Sequence, residues 1–408
     1  MLKKIMSTFQ GDRVIWVVLF FLSMFSILAV SSSTSMLAYQ KHTSIASHVF
    51  KHVFLMLVAY FIMWFMHNIS YQYYSRFYKI LLGASFLSLI YASLFGHTIN
   101  DASRWIMIPL INQTFQASDL AKLALMLYLA RHLSVNQADI GDFKKGFLPM
   151  LVVTAIIVGL IFMENVSTSL MVGGTAMVVM FLGKVRIVHF LSVLALGLGL
   201  AFAGSLLVLK MPEKYLIWRL ATVKSRLESF SDSKASFKDV NYQVKQANIA
   251  IARGGIIRFA PGNSVQKHFL PNAFSDYIYA IIIEEYGLLG GLFIVLLYLV
   301  LLWRIIKIVI NSPHTFGALL ALGLGISIVL QAFTHIVVNV GIAPTTGVTL
   351  PLISMGGSSI FFIAAAMGII LSVSRAVEQG NIGKAPEQET YFDDLELQLS
   401  NYKKDPTA

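Results

Sequence analysis

The chain has 408 residues, of which 57% are hydrophobic and only 12% charged, and its mean hydropathy is +0.72. Soluble domains carry roughly a quarter charged residues, so a water-soluble globular fold is excluded. The absence of cysteine excludes disulfides, thiolate metal sites and a cysteine nucleophile, while the formal charge of +11 sits at the ends of apolar runs and in one long loop, which points to anionic headgroups or a phosphate-bearing lipid and not to nucleic acid.

The apolar runs predict an all-α polytopic membrane protein of about ten transmembrane helices, near 14–36, 48–66, 77–96, 115–133, 147–163, 167–183, 188–209, 276–302, 316–341 and 352–374. The first run follows Lys3, Lys4 and Arg13 as a signal peptide would, but its length makes it a retained signal-anchor helix. His48 and His52, four apart beside Lys51 at the start of the second run, read as interfacial polar groups and not as metal ligands. The fourth run carries Ser118, Asp119 and Lys122, whose spacing of three and four brings them to one side of a helix. A charge near the bilayer centre costs about 2.5–3.5 kcal/mol if unpaired, so these residues are expected to face the interior or a cavity. An Asp119–Lys122 pair that serves packing alone fits the same spacing.

With the N-terminus inside, the cytoplasmic flanks hold Lys3, Lys4, Arg13, Arg76, Lys79, Arg131, Lys144, Lys145, Lys184, Arg186, Arg304, Lys307 and Arg375, against Lys41, Lys51 and Arg104 outside. Both termini are thus expected in the cytoplasm. The membrane domain is expected to cover 1–375, with one large extracytoplasmic loop at about 210–275; loops this long translocate largely regardless of charge. Within that loop, Leu216, Ile217, Leu220, Val223, Leu227 and Phe230 recur at helical spacing, as in a helix lying on the membrane surface. Such a helix either holds an anionic headgroup or serves as a topological anchor. The segment 376–408, with Glu387, Glu389, Asp393, Asp394 and Glu396, reads as a polar, disordered cytoplasmic tail.

The loop ends on Gly262-Asn263-Ser264-Val265-Gln266-Lys267, then Leu270-Pro271-Asn272-Ala273-Phe274-Ser275-Asp276, which sets an acid at the mouth of the eighth helix. An acid there can be half desolvated yet reach a polar substrate, although Ser275 or Asp276 serving only as a helix N-cap would look the same. Glu284 and Glu285 follow eight and nine residues later, about 12 Å or more along the helix, too far for the carboxylate pairs of glycoside chemistry. They are expected to line the cavity or pair within the bundle. Gly287 and Gly291 read as a small-residue packing pair. Pro351-Leu352-Ile353-Ser354-Met355-Gly356-Gly357-Ser358-Ser359 interrupts the chain as the tenth helix opens, a pattern that can line a cavity at membrane depth. No phosphate-binding glycine loop is present, so ATP hydrolysis is not expected.

Taken together, Phe115 to Lys122, Pro261 to Lys267, Leu270 to Asp276, Glu284 to Gly287 and Leu350 to Ser359 resemble the signature segments of the SEDS family, the bacterial proteins of shape, elongation, division and sporulation. The Gly262 to Lys267 segment is more similar to the division branch than to the elongation branch. The resemblance implies a peptidoglycan glycosyltransferase that polymerises lipid II at the outer face of the bacterial cytoplasmic membrane, at the division septum. It also implies a class B penicillin-binding protein and divisome membrane proteins as partners. The family's essential aspartate falls on Asp276. The flanking Pro-Glu-Ala-His-Thr-Asp of the family reads Pro271-Asn272-Ala273-Phe274-Ser275-Asp276 here, its Pro-Asp-Phe-Gly-Thr reads Glu164-Asn165-Val166-Ser167-Thr168, and Ala117 replaces a common proline.

Such chemistry asks for one general base, assigned to Asp276, and for positive charge at a departing diphosphate. Arg104, Lys122 and Lys267 are the cationic candidates, Ser118, Asn263, Ser264, Gln266, Ser358 and Ser359 complete the expected substrate contacts, and Asp119, Glu284 and Glu285 support them. A divalent cation, Mg or Mn, is an optional aid; no other cofactor is implied. A lipid-flipping transporter built on Asp119, Lys122, Glu284 and Glu285 is the alternative from another class, and a noncatalytic scaffold for the cross-linking enzyme a third.

Overall fold

The computed structural model describes residues 10–40, 42–99, 102–108, 113–210 and 239–380, together with Lys224. The proposed surface helix at 213–230, Lys224 apart, and the tail beyond 380 lie outside the described residues.

Asp12 opens the bundle by accepting the amides of Val14 and Ile15 at 2.9 and 3.3 Å, capping α1 (Arg13–Ser33). A short α2 (Ser35–Gln40) and a turn lead into α3 (Ile45–Asn68), then α4 (Tyr71–Phe95). A small antiparallel sheet follows, β1 (His97–Ile99), β2 (Ala102–Ile108) and β3 (Gln113–Gln116), with β2 in the middle. It delivers the chain directly into α5 (Ala117–Val135). A π-helical turn at Phe143–Phe147 precedes α6 (Leu148–Glu164), and α7 (Val166–Leu182) and α8 (Ile187–Lys210) come next. Beyond the long loop, α9 (Asp239–Gly254) and a 3-10 turn (Gln266–His268) lie before α10 (Ile278–Asn311), α11 (Thr315–Asn339) and α12 (Ser359–Glu378).

Among the described residues, eight helical stretches are long and apolar enough to cross a membrane. Two more complete the expected ten: α7, with 17 residues, and α5, whose polar residues lower its hydropathy. Leu123 to Ala130 of α5 are buried without a break, so this helix is enclosed on every face and can hold charges that lipid would not accept. It packs against α4, α7 and α11, and α11 in turn packs against α10 and α12. Gly368 lets α12 and α3 meet backbone to backbone, because a Cβ there would stand 2.5 Å from the Met63 carbonyl oxygen. In contrast, α8 lies at the periphery, mainly against α7.

The structure departs from the sequence reading in four places. The stretch between α4 and α5, read as a loop, forms the sheet, in which Trp105, Ile106 and Phe115 supply the aromatic and β-branched residues that strands favour. His52 is not interfacial: it is buried, with Nε2 2.8 Å from the Ser26 hydroxyl of α1. Helix α12 starts at Ser359 and not near 352, because the turns at 351–354 and the glycines after them hold the chain off helical geometry. Gly287 packs closely, as read, but against the 256–258 backbone and at a break within α10, at φ 71° and ψ −178°, a region essentially reserved for glycine. The amides of Leu288 and Leu289, which lose helical partners at the break, bond the carbonyls of Gly255 and Ile256 at 2.9 and 3.2 Å.

The two ends of the bundle are distinct. Arg304 Nε of α10 pairs with Asp12 at 2.6 Å, the Asp12 amide bonds the Ser374 hydroxyl of α12 at 2.9 Å, and Gln379 Nε2 bonds Gln10 at 2.6 Å. Residues 10–12 and 374–379 therefore share one end with the last turns of α10. The 263–276 segment lies at the other end, beside the first turn of α10.

Candidate active site

Asp276 sits in a tight turn before α10. Asn272, at φ 56°, turns the chain so that its carbonyl accepts the amides of Ser275 and Asp276 at 3.0 and 3.1 Å. The residue at the helix N-cap is Tyr277, with no side-chain cap, so Ser275 and Asp276 both lie ahead of the cap position. Ser275 Oγ donates to Asp276 Oδ1 at 2.9 Å, and the Asp276 side chain stays half-buried at the mouth of the bundle.

The wall facing this carboxylate is the non-helical segment between α11 and α12. A Cβ on Gly347 would lie 4.0 Å from Asp276 Oδ2, and Gly347 holds φ at +64°. Backbone that dips among spanning helices must find its hydrogen bonds inside the protein. Here it does so by drawing on side chains from separate helices. Val348 O is 2.7 Å from His335 Nδ1, and Thr349 O accepts from Gln331 Nε2 at 3.0 Å, both on α11. Pro351 O accepts from Tyr298 of α10, and Ile353 O from Ser26 of α1 at 2.8 Å, the latter backed by His52 of α3. Ser354 Oγ accepts the Leu350 amide at 2.9 Å and donates to Ser275 O at 2.7 Å, while the Met355 amide bonds Phe274 O at 3.0 Å. The two motif segments are thus sewn to each other around Asp276.

Deeper in the bundle, Lys122 Nζ lies 2.7 Å from Asp119 Oδ1 and 3.3 Å from Gln331 Oε1. Asp119, Lys122, Ser327, Gln331 and Phe362 line a small cleft, about 30 Å³, between α5, α11 and α12. Gln331 and Asn339 are eight residues apart on α11, so Lys122 lies about 12 Å along that helix from the residue that touches the Asp276 backbone. Ser118 is buried and accepts from Gln116 Nε2 at 2.9 Å; the Gln116 amide in turn bonds Ser358 Oγ at 3.2 Å. Ser359 Oγ donates to Gly356 O at 2.6 Å. Arg104 belongs to β2, the central strand of the sheet that leads into α5.

The 262–267 segment is a buried strap. Glu284 accepts the amides of Val265 at 2.9 Å and Gln266 at 3.2 Å and the Ser264 hydroxyl, with Arg253 Nε 3.8 Å away. Glu285 accepts the Ser264 amide at 3.2 Å and the Ser32 hydroxyl of α1. Lys267 Nζ donates to Gly262 O at 2.6 Å and meets Ser32 Oγ at 3.4 Å, so two of its three N–H groups are directed inside the protein. Asn263 is exposed, whereas Ser264, Gln266 and Lys267 are buried.

Three residues that organise the site, Gln331, His335 and Asn339, do not belong to the motif segments. Their signal was present as an amide, an imidazole and a second amide repeating every four positions in a mostly apolar helix. Among the described residues no group of three or more His, Asp or Glu is gathered for a metal. Asp276 would offer Mg or Mn a single carboxylate, since Glu284 and Glu285 stand eight and nine residues further along and take the donors of the strap, Glu285 through Oε1 alone, so the residues present do not gather around a resident ion.

These features define a multi-pass membrane protein with a site that opens at one end of its helix bundle. A family model described as "Cell cycle protein", that of FtsW, RodA and SpoVE, matches residues 12–379. The chain belongs to this family, the SEDS proteins. It is 32% identical over 381 residues to the probable peptidoglycan glycosyltransferase FtsW of Coxiella burnetii, covering 91% of this chain and 99% of that one. It is 34% identical to the stage V sporulation protein E of Bacillus subtilis, covering 77% of this chain and 83% of the relative. Among solved structures, a peptidoglycan synthase complex contains a chain that superposes with a TM-score of 0.70 at 23% identity, covering 90% of this chain and 99% of that chain. The crystal structure of Thermus thermophilus RodA superposes with a TM-score of 0.63 at 21% identity, covering 90% and 97%. At these identities the two structures establish the fold.

Proposed function

We propose that this protein is a peptidoglycan glycosyltransferase of bacterial cell division that polymerises lipid II into β-1,4-linked glycan. The observation that carries the reading is Asp276, a half-buried carboxylate held by its backbone at the end of the bundle opposite the described ends of the chain. The names borne by its FtsW relatives point to the same activity and do not favour the transporter or scaffold alternatives.

Asp276 takes the proton from the 4-hydroxyl of the acceptor lipid II as that oxygen attacks the anomeric carbon of the growing strand. The bond from that carbon to the diphosphate breaks, the electron pair leaves with the polyprenyl diphosphate, and inversion gives the β linkage. Lys122 stabilises the departing charge from within the cleft, with Arg104 as the second cation and Asp119 and Gln331 setting the ammonium in place. Ser118, Ser358, Ser359 and Asn263 are assigned to polar contacts with lipid II, and Glu284 and Glu285 act by holding the strap of Ser264, Gln266 and Lys267. No step runs through a metal ion. The site faces outward, both termini are cytoplasmic, and the protein works at the septum among divisome membrane proteins, beside a class B penicillin-binding protein that cross-links the product.

The test is purified Asp276→Asn with lipid II and the partner. The variant keeps size and hydrogen bonding but lacks the basic oxygen, and glycan formation is expected to fall about 10²- to 10⁴-fold with folding and partner binding retained. Near-normal polymer would overturn the mechanism.

A further inference from the structure

Asn339, the last residue of α11, is buried and makes four contacts through one amide. Its Nδ2 donates to Asp276 O at 3.0 Å and lies 3.0 Å from His335 O and 3.2 Å from His335 Nε2, while its Oδ1 accepts the Ala280 amide at 3.2 Å. Ala280 N is one of the unpaired donors of the first turn of α10, and Tyr277 supplies no side-chain cap for them. Asn339 therefore caps α10 from a neighbouring helix and grips the Asp276 carbonyl with the same group.

The orientation of that amide is determined by chemistry. Val348 O can only accept, so His335 Nδ1 carries the hydrogen toward it at 2.7 Å, which leaves Nε2 as an acceptor for the Asn339 amino group. Turning the amide over would set its amino group against the Ala280 N–H and its oxygen against the Asp276 carbonyl, donor to donor and acceptor to acceptor. His335 thus orients Asn339. It also holds Val348, the neighbour of Gly347, on the far side of the carboxylate.

We propose that Asn339, oriented by His335, is a positioning residue that sets Asp276 for proton abstraction. The proposal rests on Asp276 being the general base. A misplacement of about 1 Å at a reacting group lowers rate on the order of 10²-fold without weakening substrate binding. The expectation for Asn339→Ala is accordingly a kcat for lipid II polymerisation lowered about 10- to 100-fold, with KM within about threefold of the parent. Asn339→Asp keeps an acceptor for Ala280 but loses the donor to Asp276, so it is expected to fold and to show the same split.

The experiment compares Asn339→Ala, Asn339→Asp and Asp276→Asn in the full chain with its partner, measuring kcat, KM and the melting midpoint of each. Parent-like kcat in both folded Asn339 variants, or a rise in KM at unchanged kcat, overturns the positioning role while leaving Asp276 intact. An active Asp276→Asn overturns both readings. Failure of both Asn339 variants to fold assigns the amide to the fold alone and likewise overturns the proposal.

Discussion

Glu284, on the second turn of α10, accepts the amide of Val265 at 2.9 Å across nineteen residues of chain. The same carboxylate accepts the Gln266 amide and the Ser264 hydroxyl, and its exposure is 0%. A motif acid thereby serves the backbone, and the strap over α1 and α10 exists because this acceptor is buried beneath it. Removing it in Glu284→Ala orphans buried donors at about 1–3 kcal/mol each, whereas Glu284→Gln keeps one acceptor oxygen. The alanine variant is expected to melt well below the glutamine variant in detergent and to be cut by protease between 255 and 267. Identical melting of both variants and the parent would refute this assignment.

The break at Gly287 makes a second test. A Cβ there would stand 2.8 Å from the Arg258 amide nitrogen and from the Ile256 carbonyl oxygen, and the backbone sits where other residues are strained by about 1–3 kcal/mol. Gly287→Ala should lower the yield of folded protein and its melting midpoint. Gly159→Ala, where no atom outside the helix lies within 4 Å, should match the parent or exceed it. Equal effects at the two sites would show that α10 does not need the break.

Lys122 and Asp119 separate structure from chemistry. Taking one partner from a buried pair leaves an uncompensated charge, with losses of about 3–5 kcal/mol, while removing both is far milder. Lys122→Ala is expected to destabilise and inactivate. Asp119→Ala/Lys122→Ala should regain stability, yet stay inactive if the ammonium meets the diphosphate. Restored polymerisation in the double variant would reduce the pair to a packing role.

Orientation is checked by labelling, for which the lack of native cysteine is convenient. Single cysteines at the exposed positions Asn263 and Gln137 should differ: the first is expected to react with an impermeant thiol reagent from outside intact cells, the second only after lysis. Reversed labelling would turn the protein over and place Asp276 on the wrong side for lipid II.

The spans were legible because bilayer length and apolar runs leave few alternatives, with α5 the marginal one, since Ser118, Asp119 and Lys122 lower its hydropathy and only its enclosure by other helices makes them acceptable. The sheet was not legible, since its short strands are set by pairing partners far weaker in pattern than a spanning helix. Motif segments marked Asp276 and its wall, but they could not show that Glu284 and Glu285 turn toward the strap, because a side chain's direction depends on packing and not on spacing alone. Gln331, His335 and Asn339 lie at one helical period and were readable in principle; an amide or imidazole among apolar neighbours carries little weight until the loop it serves is known.

The wall between α11 and α12 takes its hydrogen bonds from α1, α10 and α11, with α3 behind α1. Hydrogen bonds weaken steeply within about half an ångström of stretch, and a carbonyl stripped of its donor in this setting has no water to turn to. The wall is therefore a coincidence detector built from backbone. It takes its shape only when helices distant in sequence are all seated at once, so a partly assembled bundle would present Asp276 without the surface it works against.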